Sequence, residues 1–374
     1  MKVLVVFDDS ERIDQTDSTS QQDIVFTERD VERVLNEQGH TVQALAVREN
    51  LWEALKPYNP REWLIFNLCE QIRAKTYLEP YATSIYEHLG FSYTGSNRHT
   101  LAACLNKPRT KEILQAHDIP TAAFQVLSPN ALTRRLDFPL FVKPIAEDAS
   151  IGITPQSVVT DDEMLRRQVN LIWKRYRQPA LVEEFIAGRE INVTLLGNDQ
   201  PIVFPLSEIE FKQMPNPLER IVSFRAKWDS ASPEFRLTVP RCPPRVSDAV
   251  KARIEHVALR AYQTMGLRDY GRVDLRVRNG QQYVLEVNPN ADLSHDAGIA
   301  RAARVAGLSY AELIDEVVRL AGRRHNLKGV KRPRVISYGL RMQRAQGSAI
   351  HSIPLDAFAS LTKRPAPRLA SVTA

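Results

Sequence analysis

The sequence predicts an α/β protein with two or three domains. Over the first 97 residues, stretches typical of β-strands alternate with helical patterns, which indicates a parallel sheet with helical crossovers. Further along, Asn279 and Gly280 separate two β-rich runs, and this dipeptide is the strongest short-range signal for an antiparallel hairpin. A length of 374 residues with 43% hydrophobic residues is enough to bury more than one core.

Residues 1–97 are predicted to form one α/β domain. Its expected elements are the strand Lys2–Phe7, a helix from about Glu28 to Gln38 ended by Gly39, the strand Val42–Val47, a helix at Leu51–Leu55, an apolar run at Trp63–Asn67 and a helix at Tyr81–Leu89 closed by Gly90. The region lacks the Gly-x-Gly-x-x-Gly dinucleotide fingerprint and the Gly-x-x-x-x-Gly-Lys-Ser/Thr phosphate loop. Any nucleotide must therefore be bound in another way.

The middle of the chain combines short strands with two lysines and a loop of small residues. The predicted elements are a helix at Arg109–His117, strands at Ala123–Leu127, Phe138–Pro144, Leu181–Ile186 and Ile191–Leu196, and a helix at Asp162–Tyr176. Lys143 ends one strand, and the backbone N–H groups of the following loop, Ser150–Ile153, could approach a phosphate closely. Together with Lys107 the loop suits a phosphate tail, and an ordinary surface turn is the alternative.

Two later regions are expected to cover the site and the core. Residues 205–244 are rich in proline with scattered Arg and Lys, and a loop of this length inside a domain is typical of a lid. Ala297–Ala306 is predicted to be a helix of small residues, and Ser309 begins a capping box for a helix that continues to about Leu320. We expect these two helices to cover the apolar face of the hairpin.

The hairpin has one polar face if its loop contains an odd number of residues. The apolar face then pairs Val273, Leu275 and Val277 with Val287, Leu285 and Tyr283, and the polar face pairs Arg272, Asp274 and Arg276 with Asn288, Glu286 and Val284. A two-residue turn would scatter the charges, because a slip of one residue moves every side chain to the other face.

The opposed carboxylates of Asp274 and Glu286 predict a bound cation. Like charges directly opposite each other destabilise a strand pair by roughly 0.2–1 kcal/mol unless they are compensated. Two carboxylates and the amide of Asn288 are oxygen ligands that suit magnesium. The alternative is a solvent-exposed face with hydrated charges.

The cysteines and the lengths of the apolar stretches indicate the cellular compartment of the protein. Cys69, Cys104 and Cys242 are widely spaced and form no metal-ligand pattern, which favours a reducing compartment. The apolar start of the chain is too short for a signal peptide, and no stretch approaches the roughly 18 apolar residues of a membrane span. We therefore expect a cytoplasmic protein without a membrane partner, for which a homodimer stays open.

The net charge of +6 comes from the C-terminal end. From Arg323 onwards there are 11 Lys or Arg and one acid, Asp356, so the preceding part of the chain is net negative. This extension could contact an acidic partner or nucleic acid, but it carries no known nucleic-acid-binding module. A solvated or docked extension is favoured over nucleic-acid binding.

In combination, the hairpin, the strand that ends in lysine, the small-residue loop and the strand at Leu181–Ile186 resemble the ATP-grasp superfamily. The chain is most similar to its D-alanine:D-alanine ligase branch, from about Val3 to Leu320, and the similarity is specific from Tyr93-Thr94-Gly95-Ser96 onwards. The resemblance implies three domains with ATP between the last two. They are a Rossmann-like N-terminal α/β domain at 1–97, a small central α+β domain at 98–190 and a C-terminal α+β domain with an antiparallel sheet at 191–330, before a basic extension at 331–374.

The resemblance also implies roles for individual residues. In the nucleotide site it places Lys107 and Lys143 on the phosphates, Ser150 and Gly152 in the phosphate-covering loop, Glu183 with the backbone around Glu184, Phe185 and Ile186 on the adenine, and Glu190 on the ribose. At the reacting centre, Lys227 resembles the lid lysine near the γ-phosphate and Arg272 the arginine that steadies the reacting oxygens. Asp274, Glu286 and Asn288 match the family's metal ligands. Solvated surface charges are the alternative for the lysines, Glu183 and Glu190.

The implied reaction is an ATP-dependent ligation that releases ADP. A carboxylate attacks the γ-phosphate of ATP to give an acyl phosphate, an amine attacks that intermediate, and phosphate leaves. The implied cofactors are ATP and two Mg²⁺ ions, for which Mn²⁺ can substitute, and the implied partners are a small carboxylate and a small amine. Catalysis then consists of charge neutralisation, positioning and exclusion of water by a lid.

Both substrate ends depart from the family pattern. Phe7-Asp8-Asp9-Ser10-Glu11 stands where the family has two glycines, a serine and a substrate-binding glutamate, so Glu11 is the candidate on that side. On the other side Ala297 and Gly298 stand where the family uses a serine and the next backbone amide to hold the second carboxylate. Asp292, His295 and Asp296 bring different chemistry there, with helix capping as the alternative for His295.

These departures favour a peptide- or amide-forming ligase with substrates other than two D-alanines. A true D-alanine:D-alanine ligase is the first alternative. A nucleotide-binding regulator without catalysis, acting through the basic extension, is the second.

Overall fold

The computed structural model describes residues 1–9, 18–48, 50–73 and 75–330. The predicted site residue Glu11 and the basic extension at 331–374 lie outside this range. None of the helices in the described range is long and apolar enough to cross a membrane.

The N-terminal part is a parallel sheet covered by helices, as predicted from the alternating pattern. Its elements are β1 Lys2–Asp8, α1 Ser18–Glu37, β2 Thr41–Val47, α2 Leu51–Leu55, β3 Trp63–Asn67, α3 Glu79–Leu89 and β4 Ser92–Tyr93. The strand order is β2-β1-β3-β4, and all three pairings are parallel. Fully buried Leu4, Val6 and Ile65 pack with residues of α2 and α3 in one core.

Two short helices lead into a small antiparallel sheet. They are α4 Arg98–Leu105, which the sequence analysis did not predict, and α5 Lys107–Ala116. The sheet contains β5 Phe124–Leu127, β6 Leu140–Pro144, β7 Val158–Val159 and β8 Ala180–Glu184 in the order β5-β8-β6-β7. The predicted helix α6 Asp162–Tyr176 packs on it through buried Leu165, Val169 and Ile172.

A larger antiparallel sheet forms the C-terminal part. Its strands are β9 Arg189–Leu196, β10 Ile202–Val203, β11 Ser207–Phe211, β12 Thr238–Arg241, β13 Tyr270–Arg278 and β14 Gln281–Asn288. The order is β12-β11-β9-β13-β14, and β10 pairs with β9. The helices are α7 Phe224–Trp228, α8 Pro233–Leu237, α9 Asp248–Thr264, α10 Gly298–Val305 and α11 Tyr310–Arg324.

The prediction of one long loop at 205–244 is wrong. The segment contributes β11 and β12 to the sheet and carries α7 and α8 between them. Pro233 is compatible with α8 because it occupies the first turn of the helix, where the missing N–H costs nothing.

The prediction that the two last helices cover the hairpin is also wrong. The apolar face packs on α9, whose Ile254, Val257 and Ala258 share one core with Val273 and Leu275. The two last helices lie elsewhere, and α11 packs against α1 and β4. The predicted capping box of Ser309 and Glu312 at the start of α11 is confirmed.

The hairpin register is correct at the predicted metal site and wrong at the turn. Arg272 pairs with Asn288, and Asp274 pairs with Glu286, as predicted. The turn nevertheless has only two residues, Asn279 and Gly280, both with positive φ. A β-bulge next to Asp274 reconciles the two findings, because β14 contains one extra residue there.

Candidate active site

A cavity of about 1000 Å³ lies beside the polar face of the hairpin. Asp274, Glu286 and Asn288 line it from β13 and β14, Lys227 lines it from α7, and Ser150 lines it from the small-residue loop. The structure thus brings together residues that the sequence placed far apart. The cavity also extends to the N-terminal part of the chain, where Leu68 and Glu79 form part of its wall.

Asp274 is fixed by three neighbouring side chains. The Nε and Nη2 atoms of Arg272 donate to its two oxygens, each at 2.8 Å. Asn192 donates from Nδ2 at 2.7 Å, and Asn288 donates from Nδ2 at 3.0 Å. Asn192 lies opposite Asp274 in the pairing of β9 with β13, so two strand registers determine this arrangement.

Glu286 is held by charge rather than by hydrogen bonds. In the described range it has no hydrogen bond or close ion pair. Burial by itself would raise the pKa of the Glu286 carboxyl, but Lys107, Lys143, Arg272 and Lys227 together hold that pKa below its usual value. Four cationic side chains that the sequence assigns to nucleotide binding or catalysis therefore surround Glu286. This predicted metal ligand has no hydrogen bond to its oxygens in the described range.

Lys107 lies at the edge of this cluster and is buried. It donates to the Glu147 backbone oxygen and forms an ion pair with Asp148 at 3.2 Å. Burial would lower the pKa of its amine, but Asp148 and Glu286 raise that pKa above the usual value. Lys107 therefore stays protonated next to the small-residue loop.

Lys143 belongs to a buried ion triad centred on Glu183. The Glu183 carboxylate lies 2.8 Å from Lys143 Nζ and 2.7 Å from the Nζ of Lys111, which the sequence analysis did not single out. Burial would raise the pKa of Glu183, but the two lysines lower it to about 2. Lys111 also donates to the hydroxyl of Thr121 at 2.7 Å, so both Thr121 and Glu183 hold its amine in place.

The predicted adenine and ribose contacts meet around Arg276. Its Nη1 donates to the Ile186 backbone oxygen at 3.0 Å, and its Nη2 donates to Glu190 at 2.9 Å. Its guanidinium carbon is 5.2 Å from the centre of the Phe185 ring. Burial raises the pKa of Glu190, although Arg276 opposes that shift. Glu184 instead pairs with Arg278 at 2.7 Å, away from this group.

The small-residue loop is joined to the lid helix α7. Trp228 Nε1 donates to the Ala149 oxygen at 2.9 Å, and Ser150 Oγ donates to the Val222 oxygen at 3.0 Å. Gly152 has a φ of 78°, and a Cβ there would lie 2.7 Å from Pro144 Cγ, so only glycine fits. The loop and the segment that carries α7, the predicted lid, are therefore connected by two hydrogen bonds.

The residues predicted at the substrate end are only partly brought together. Asp292, Ala297 and Gly298 line the cavity, and Asp292 accepts a hydrogen bond from the Ser294 N–H at 2.8 Å. Ala297 is the N-cap residue of α10, and its methyl side chain cannot accept a hydrogen bond from the first N–H groups of the helix. His295 is exposed, packs edge-on against Tyr310 and is not part of the lining.

Three residues that shape the site, Lys111, Asn192 and Glu79, were not predicted from the sequence, and Arg276 was placed on the polar face of the hairpin without a role. The alternation along β9 puts Asn192 on the same face as Glu190, so this signal was available. Lys111 follows Lys107 by one helical turn, which also indicates a shared face. Arg276 and Glu79 depend on packing between segments that are far apart in sequence.

The fold is that of the ATP-grasp proteins. A D-alanine–D-alanine ligase of Bacillus anthracis, solved in complex with ATP, has the same fold with a TM-score of 0.68 and 20% identity, over 87% of this chain and 99% of that chain. The sequence-based prediction of a three-domain ATP-grasp α/β architecture is thereby confirmed as to fold.

Sequence relatives identify the family. The family model described as the D-ala D-ala ligase C-terminus matches residues 113–319. An uncharacterised protein of Sinorhizobium fredii is 32% identical over 79% of this chain and 87% of its own length. A D-alanine–D-alanine ligase of Desulforudis audaxviator is 34% identical over 64% of this chain and 76% of its own length. The chain belongs to the D-alanine–D-alanine ligase family and is an ATP-dependent, ADP-forming ligase.

Proposed function

We propose that this enzyme uses magnesium and ATP to join a carboxylate to an amine through an acyl phosphate, with substrates other than two D-alanines. The observation that carries the proposal is the contrast within the cavity. Cations and metal-type ligands converge on Glu286, whereas the substrate end presents Ala297 at the N-cap of α10. Family membership already supports an ATP-dependent ligase, and the identity of the two substrates is what the proposal adds.

The proposed metal ligands fit a magnesium ion in donor type. Asp274 and Glu286 face each other on paired strands, and Asn288 follows on the same face. In the part of the chain that the structure describes, no three His, Cys, Asp or Glu side chains form a metal cluster. Two carboxylates and one amide are therefore an incomplete shell, which the phosphate oxygens of a nucleotide and water would complete. When bound, magnesium would neutralise phosphate charge and orient the transferred phosphoryl group.

The proposed work of the protein is to place positive charge around the phosphates. Lys107 and Lys143 border the nucleotide side, and Lys227 is carried by the lid. Arg272 is oriented by its two hydrogen bonds to Asp274, and its free Nη1 can steady oxygens of the reacting centre. Ser150 and Gly152 would cover the phosphates, since their loop is fastened to the lid.

The proposed nucleotide pocket continues along β8 and β9. Glu190 is the candidate for the ribose, and the backbone of Glu184, Phe185 and Ile186 is the candidate for the adenine. Arg276 supports this pocket because it binds both Ile186 and Glu190. Glu183 is proposed to act through Lys143, whose amine it orients at 2.8 Å.

Substrate recognition is proposed to involve the cavity end near Asp292, Ala297 and Gly298. Glu11 stays a candidate from the sequence alone, and His295 is disfavoured because it does not line the cavity. Homodimer formation, a cytoplasmic location and a small-molecule carboxylate and amine as the partners also stay predictions from sequence.

Phosphate release tests the proposal against its rivals. We expect ATP to release phosphate only when magnesium, a carboxylate and an amine are all present. D-alanine alone giving the full rate would favour a true D-alanine–D-alanine ligase, the activity for which several relatives are named. Nucleotide binding with no phosphate release for any amino acid or amine would favour the regulator.

A further inference from the structure

Glu79 is a buried carboxylate on the wall of the cavity that the reaction described above does not use. It begins α3 in the N-terminal part, is 6% exposed and lines the cavity together with Leu68, Glu70 and Thr76. Burying a carboxylate without a partner is costly, so its surroundings should contain a compensating group.

Within the described residues, one hydrogen bond reaches the Glu79 carboxylate. Asn290 Nδ2 donates to its Oε1 at 3.0 Å. The other Nδ2 hydrogen bond of Asn290 goes to the Cys69 oxygen at 3.3 Å, and its oxygen accepts from Tyr270 at 2.7 Å. Asn290 therefore has no further donor to offer, and within the described range Glu79 Oε2 has neither a hydrogen bond nor an ion pair.

The charges that reach Glu79 are negative. Burial is the main reason that the pKa of its carboxyl lies well above the usual value, and Asp148 and Glu70 raise it further. Asp292 lines the same cavity on the segment that follows β14. The lining cations lie on other elements: Lys227 on α7, Arg236 on α8, Arg272 on β13 and Arg301 on α10.

We infer that Glu79 anchors a subsite for the cationic group of a substrate, an ammonium or a guanidinium. A cation there would take the open oxygen of Glu79 and reduce the repulsion from Asp148 and Glu70. The inference rests on the proposed function only in assuming that the cavity binds the ligated substrates. The cation is either the α-ammonium of an amino acid or a cation on its side chain, and both make the same contact.

Direct binding separates these two sources. Titration calorimetry with a non-hydrolysable ATP analogue and magnesium would compare lysine, norleucine, 6-aminohexanoate and hexanoate. Norleucine retains only the α-ammonium, 6-aminohexanoate only the distal ammonium, and hexanoate neither. We expect hexanoate to bind more weakly than at least one ammonium-bearing compound, and the better of norleucine and 6-aminohexanoate identifies the source.

The substitution Glu79→Gln removes the charge while keeping the size and the acceptor for Asn290. We expect it to weaken binding of the preferred ammonium compound by about 10- to 100-fold, the range for losing a hydrogen bond to a charged group. Hexanoate and ATP-analogue affinities should not change. Glu79→Asp keeps the charge and should lose less affinity. The control Glu53→Gln alters an exposed carboxylate that pairs with Lys56 on the surface.

The inference is overturned if Glu79→Gln binds the ammonium compounds as tightly as the unaltered protein does, if hexanoate binds as tightly as they do, or if none of them binds. Phosphate release, measured with the same compounds and with ATP in place of the analogue, tests the ligase function separately. Binding that depends on Glu79 without any phosphate release would refute the ligase and leave the cationic subsite in place.

Discussion

The proposed nucleotide side of the cavity and its substrate end differ in how their charges are balanced. On the nucleotide side, Glu183 in the small sheet neutralises Lys143 and Lys111, and Asp274 in the large sheet neutralises Arg272. At the substrate end, the described residues give Glu79 one hydrogen bond, from the Asn290 amide, and Asp292 one, from the Ser294 N–H. Strand registers fix the first region, and loops and helix ends form the second. We propose from this difference that the strands carry the chemistry and that the loops and helix ends carry the substrate specificity.

The largest expected effect is from Glu286→Gln. This change removes a proposed metal ligand that makes no structural hydrogen bond, so the fold should survive. We expect phosphate release to fall by at least about 100-fold, because metal stabilisation of transferred phosphoryl charge is worth several kcal/mol. Glu210→Gln, at a half-buried carboxylate of the same sheet paired with Arg241, is the matched control. Near-normal turnover in Glu286→Gln would contradict the assignment of Glu286 as a metal ligand.

Glu183→Gln should affect stability rather than chemistry alone. It would leave Lys111 and Lys143 buried without a counter-charge, which typically costs about 3–5 kcal/mol. Urea unfolding at neutral pH measures this loss of unfolding free energy. A change as small as that of the surface control Glu53→Gln would show that the triad is not needed.

The same triad predicts a pH dependence. The pKa of Glu183 is lowered from 4.5 to about 2, so its contribution to stability is fully present above about pH 4.5 and is lost as the pH falls through 2. The difference in unfolding free energy between the unaltered protein and Glu183→Gln should therefore shrink over this interval. A difference that stays constant down to pH 2 would contradict the assignment.

Lys227→Met should have a smaller effect confined to the rate. Lys227 is half-buried on the lid, with its amine 4.7 Å from the centre of the Trp228 ring, and no ion pair depends on it in the described part of the chain. We expect kcat to fall by about 10- to 100-fold and the unfolding free energy to stay nearly unchanged, because one cation near the transferred phosphate is lost. An unchanged kcat would place Lys227 outside the reacting centre.

The smallest expected effect is from Trp228→Phe. This change removes the hydrogen bond from the lid to Ala149 and keeps most of the packing. One hydrogen bond contributes about 0.5–1.5 kcal/mol, so the KM for ATP should rise by a few-fold. Leu171→Ala, at an exposed position of α6, is a control. If KM does not respond, the loop and the lid do not act as one cover.

Local patterns predicted much of this fold. The alternating residues of the hairpin gave the pairing of Asp274 with Glu286, because one apolar face must be buried. The same argument failed at the turn because a bulge adds a residue that no pattern marks. The helix α9 was missed although Ile254, Val257, Ala258 and Ala261 have helical spacing, so that omission was avoidable.

The rest of the site depends on long-range packing that a single sequence does not contain. Arg276 reaches Glu190 only because β9 and β13 pair in a particular register. Glu79 is buried only because the segment around Asn290 packs against the start of α3. Such contacts join residues more than 80 positions apart, and local propensity has no information about them.

The most direct test of the central claim is the identity of the product. The enzyme, with ATP and magnesium, would be supplied with D-alanine alone and with a matrix of amino acids and amines, and products would be identified by mass spectrometry. We predict an amide or dipeptide from a pair other than two D-alanines, formed with phosphate release, and little D-alanyl-D-alanine. Efficient formation of D-alanyl-D-alanine, with no better pair in the matrix, would contradict the account.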